Sequence, residues 1–106
     1  MSTNTKFPLR IQILNISSNL TRLGEWAAGD FQQRLPLIVK FLDQTEEYLA
    51  DLNNQSISNE FKPTQDLFIK EFDRLKNQRI DSRNKDQWAE KALTWANILQ
   101  HRSKLV

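Results

Sequence analysis

The chain has 106 residues, of which 39% are hydrophobic and 26% charged, with a net charge of +2. That leaves room for one domain with a lean core, and the charge is too small to dictate a polyanion partner. The absence of cysteine excludes a disulfide framework, a thiolate metal site and a cysteine nucleophile, and two glycines are too few for a phosphate-cradling loop.

Residues 1–6 read as a polar N-terminal tail. They lead into no apolar stretch, so no signal peptide is expected, and no window approaches the roughly 18 uninterrupted apolar residues of a membrane span. The expected setting is the cytoplasm, with the domain held by packing alone. Leu9, Ile13, Ile16, Leu20, Leu23 and Ala27 alternate steps of four and three, which places them on one stripe of a helix over 8–28. Pro8 suits its start. Gly29 is expected as a left-handed cap, and Asp30 with Gln33 has the spacing of a capping box that opens a second helix over 30–53. So short a connection makes the two helices an antiparallel hairpin. A turn at Gly29 sets residues whose numbers sum to about 58 at one level, Ile11 beside Glu47.

The second stripe is Phe31, Leu35, Ile38, Leu42, Thr45, Leu49 and Leu52. Pro36 interrupts it and either kinks the helix or restarts it, because the Gln32 carbonyl loses its donor. Residues 53–63 are rich in Asn, Gln and Ser and form a long loop. Pro63 and Thr64 open a third helix over 64–78, with Phe68, Phe72 and Leu75 inward and Phe61 on the same line. A fourth helix over 84–102 starts at Asn84, with Gln87 at the capping-box position, and carries Trp88, Ala92, Trp95 and Leu99. No segment alternates with the period of a strand. The pattern predicts an all-α, up-and-down four-helix bundle with 1–106 as a single domain.

Reactive chemistry finds little footing. His101 and Lys104 form H-x-x-K, a fragment similar to the centre of histidine phosphotransfer domains, but Leu105 stands where that family has Gly. The expectation is a solvated histidine near a helix end. One histidine cannot build a di-metal bundle site or serve a serine nucleophile, and Asp43, Glu47 and Asp51 on one face of helix 2 read as a solvated stripe. No enzyme activity, metal or cofactor is expected.

Two surface readings remain. At about 100° per residue from Leu35, Leu37, Phe41 and Tyr48 fall near 200–240°, opposite the core stripe. Phe7, Ile11 and Leu14 behave alike at the start of helix 1, and the expected turn brings them close in height to Tyr48. Helix 2 is then apolar on two sides, so the six residues Leu37, Phe41, Tyr48, Phe7, Ile11 and Leu14 form a candidate interface. The partner is another copy, most simply in a homodimer, or a different protein. The alternative is a nucleic-acid-binding or regulatory protein acting through Lys76, Arg79, Arg83 and Lys85, where residues 70–106 hold nine basic against five acidic side chains. Glu71, Asp73, Asp81 and Asp86 are interleaved with that set.

Overall fold

The computed structural model describes residues 3–106. Four helices, α1 (Leu9–Ala28), α2 (Phe31–Asn53), α3 (Lys62–Asn77) and α4 (Lys85–Arg102), follow one another with no strand among the described residues. Thr3–Lys6 and Ser103–Leu105 add one 3₁₀ turn at each end. Contacts at two levels show that neighbouring helices are antiparallel: Asn19 with Gln44 and Gln12 with Gln55, Asn53 with Gln65 and Glu46 with Lys76, Thr64 with Arg102 and Leu75 with Trp88, and Ser17 with Ala96 and Gly24 with Ala89. This is a four-helix bundle, 39 × 24 × 19 Å.

The apolar stripes supply the core. Ile13, Ile16, Leu20, Leu23 and Ala27 of α1 are all at most 1% exposed. Against them lie Ile38, Leu42, Leu49 and Leu52 of α2, Phe68, Phe72 and Leu75 of α3, and Trp88, Ala92 and Leu99 of α4. Burial of side chains this size contributes roughly 1.5–3 kcal/mol each before chain entropy is subtracted.

Two seams of the bundle differ in kind. Where α1 meets α4 the residues are small: Ser17 and Gly24 face Ala89 and Ala96, and the Ser17 hydroxyl donates to the Ala96 carbonyl at 2.7 Å. A Cβ at Gly24 would sit 2.6 Å from Leu93 Cγ, so only glycine admits this approach. Where α3 meets α4 the residues are large. Phe68 packs at a tilt against Trp95, centroids 5.3 Å apart, and against Phe72, 5.6 Å apart, while the Trp88 indole N–H donates to the Leu75 carbonyl at 2.9 Å. Rings of this bulk hold α3 away from its neighbours at the surface, although its inner face is fully covered.

Local details depart from the sequence expectation. Gly29 has φ of −88°, not a left-handed value, and Asp30 makes no side-chain cap bond. Gly29 does stand at the C-cap of α1, its N–H donating to the Glu25 carbonyl at 3.1 Å, and the Lys85 ammonium adds bonds to the Ala28 and Gly29 carbonyls at 3.3 Å each. Asn84 stands at the N-cap of α4 but makes no side-chain cap bond there either. Asp81 starts that turn: its Oδ1 accepts the Arg83 and Asn84 backbone N–H groups at 2.8 and 2.9 Å. Those bonds, Asn84 first, hold its carboxyl below the ordinary 3.8. Pro36 neither starts nor ends α2, which runs through it. The stretch expected as a tail is anchored at Asn4, 1% exposed, whose side chain bonds Gln12 and Asn15. The long loop is shorter than expected, because α3 begins at Lys62 and Phe61 is already buried.

Candidate interaction surfaces

The hairpin register decides the fate of the expected patch. Asn19–Gln44, Gln12–Gln55 and the Trp26–Phe41 ring pair at 5.0 Å show that level residues sum to about 63–67, not 58. Ile11 is therefore level with residues near Gln55. Tyr48 lies about six residues along α1 from it, roughly 9 Å at 1.5 Å per residue. The height match between Tyr48 and Ile11 does not hold.

The rotation of α2 differs as well. Its buried face is centred between Ile38 and Thr45, which turns Phe41 and Tyr48 toward α1 and Leu35 and Val39 away from it. Phe41 and Tyr48 are half-buried against the core, and Phe41 sits edge-on to Trp26 with the Arg22 guanidinium 5.7 Å from its centroid. Leu37 and Leu14 are half-buried. Phe7 and Ile11 remain exposed, at 48% and 37%. The six residues do not make one continuous exposed face.

Apolar surface is uncovered elsewhere, at positions the stripe analysis placed inside or did not single out. Leu35, expected in the core, is 44% exposed, and Val39 is 51% exposed. With Phe31, Ile38, Leu42 and Ile80 they line a cleft of about 470 Å³ between the first half of α2 and the α3–α4 connection. Lys76 closes one end. Its ammonium bonds Glu46 and lies 3.3 Å from Asp43, linking α3 to α2, and the Glu46 bond leads the causes that raise its pKa above 10.5. On the other side of α3 a groove follows the α3–α4 seam. Leu67 is 52% exposed there, and Trp95 and Ile98 are half-buried beside it. Both hollows flank the helix that bulky rings hold outward.

The four cations of the basic set are not equivalent. Lys76 is paired with carboxylates and Lys85 serves the end of α1, which leaves Arg79 and Arg83 on either side of Asp81. His101 is exposed near the end of α4. Among the described residues no three His, Asp or Glu side chains converge on one point, and no helix is long and apolar enough to cross a membrane. Neither family models nor curated proteins nor solved structures give a match to the chain.

Proposed function

We propose that the chain is a non-catalytic protein–protein interaction module and that the cleft between α2 and the α3–α4 connection is its principal docking face. The observation that carries this reading is the exposure of Leu35 and Val39, 44% and 51%, one turn apart over an apolar floor. Their uncovered area falls well short of the roughly 800 Å² per partner of a standard interface. The cleft therefore suits a segment that inserts one or two apolar side chains better than a broad flat surface. A cytoplasmic setting belongs to the same proposal, supported by a sequence without cysteine.

The test is titration of isotope-labelled protein with a panel of amphipathic helical peptides, following the resonances of Phe31, Leu35, Val39 and Ile80. Saturable shifts centred there and lost in Leu35→Asp support the reading. A cleft left unshifted by every peptide at about millimolar concentration overturns it.

A second reading is a homodimer through α1 and α2, favoured by the adjacent exposure of Phe7 and Ile11. Light scattering at high concentration tests it. A strict monomer, or an Ile11→Asp variant that associates like the wild type, removes it.

A further inference from the structure

The α3 helix is attached to the bundle differently from the other three. α1 approaches α4 and α2 closely along its length, whereas α3 comes close chiefly to α4, and only briefly. The α1 contacts are made by small residues and buried bonds: Ser17 to Ala96, Gly24 beside Ala89, and Asn19 to Thr45. α3 leans instead on its rings, between two hollows. One of about 310 Å³ faces α2 and is lined by Leu49, Ile69 and Phe72; the other, about 330 Å³, faces α4 and is lined by Leu67, Trp95 and Ile98.

Its polar ties are few and lie mostly at its ends. Among the described residues one fully buried bond joins α3 to another helix, from the Trp88 indole N–H to the Leu75 carbonyl. The others are Gln65 to Asn53 and Arg102 to Thr64 at its start, and Lys76 to Glu46 and Asp43 at its end, where both carboxylates are more than half exposed. One group is worse off in place than it would be in water: Gln65 Oε1 is buried and accepts no hydrogen bond from the protein. A stranded acceptor costs free energy that hydration returns.

We propose that α3 is a lid that swings off as a unit while α1, α2 and α4 stay folded together. Opening breaks ring packing and exposed ion pairs but spares the small-residue seam of α1 with α4 and the amide bonds of α1 with α2. It turns Phe68, Phe72 and Trp88 to solvent, an apolar surface the closed chain does not present. Because Phe68, Phe72 and Leu75 are at most 4% exposed, the open state is a minor one, read by hydrogen exchange and not by the average structure. The end of α3 and the connection after it wall the α2 cleft through Lys76, Gln78 and Ile80, so opening also widens that cleft. That last consequence rests on the docking reading; the lid itself does not.

Hydrogen exchange of the full chain, followed residue by residue in a urea series below the unfolding transition, tests the lid without any partner. Backbone amides of Phe68, Ile69 and Phe72 are expected to be at least about tenfold less protected than those of Leu20, Leu23 and Ala92, with one common and shallower urea dependence. Ser17→Gly weakens the α1–α4 seam, which the closed and open states share. It should lower protection in α1 and α4 about fivefold or more and leave α3 within about twofold. If α3 has the protection and urea slope of α1, or if Ser17→Gly moves every helix together, the bundle opens only as a whole and the lid is overturned. Amides of α3 that exchange at unrelated rates, without urea dependence, overturn it too, since that is fraying and not the swing of a unit. With no partner in the experiment, failure here leaves the proposed function standing.

Discussion

Replacing Gly24 with alanine tests the small-residue seam between α1 and α4. Alanine in mid-helix is worth about 0.8–1 kcal/mol over glycine, so an isolated α1 would gain. In the bundle the new Cβ would lie 2.6 and 2.7 Å from Leu93 Cγ and Cδ2 and 3.1 Å from the Ala89 carbonyl oxygen. Leu93 is half-buried and can turn, but its Cγ hangs close to the backbone, and the Ala89 oxygen moves only if α4 moves. Overpacking of this kind costs about 1–3 kcal/mol. The net expectation for Gly24→Ala is a loss of about 1 kcal/mol, a fall in Tm of about 5 °C. In a Leu93→Ala background the nearest clash is gone, and the same substitution should be neutral or stabilising. That is a coupling of about 1–2 kcal/mol in a double-mutant cycle. Urea unfolding at constant m-value measures it. Refutation would come from Gly24→Ala stabilising the wild type, or from equal effects in the two backgrounds.

Three further outcomes are expected. Trp88→Phe loses the bond to the Leu75 carbonyl and leaves a void under α3, costing about 2–3 kcal/mol by urea unfolding. Lys76→Ala removes the link from α3 to Asp43 and Glu46, whose side chains are 66% and 60% exposed; its cost stays under about 1 kcal/mol and fades in roughly 1 M salt. Asp81 has its carboxyl pKa lowered in the folded chain, so the stability it contributes is complete above 3.8 and is lost as pH falls through the depressed value. Thermal unfolding of Asp81→Asn across that acid range should therefore show a shallower dependence on pH than the wild type.

The four helices were legible because each carries a 4-3 stripe, and period is a property of neighbouring residues. Their ends were less so: Gly29 caps α1 as its position suggests, but the Lys85 ammonium that joins it comes from the start of α4, and no local pattern announces a donor that distant. The uncovered surface was hardest to read. α2 has apolar residues near both Leu35 and Phe41, and periodicity alone cannot say which edge turns inward. The choice is made by contacts across the bundle, with Trp26 edge-on to Phe41 and Asn19 bonding Thr45. The groove beside Trp95 has a similar origin: a ring wide enough to fill the seam also keeps the helices apart, and only the folded packing shows how much of it stays open.

The amides between α1 and α2 carry one more consequence. Gln12 and Gln55 bond one another in both directions, at 3.0 and 2.8 Å, and Asn19 donates to Gln44 and Thr45. Greasy stripes tolerate sliding and even a mirror-handed arrangement of the same four rods, since oil does not discriminate among oily neighbours. Amides do, because each donor stranded in a wrong arrangement forfeits about 1–3 kcal/mol. Slipped registers of the α1–α2 hairpin are thus penalised at Gln12, Asn19 and Gln55 before any surface comes into play, and the alignment of these two rods is written in three uncharged side chains.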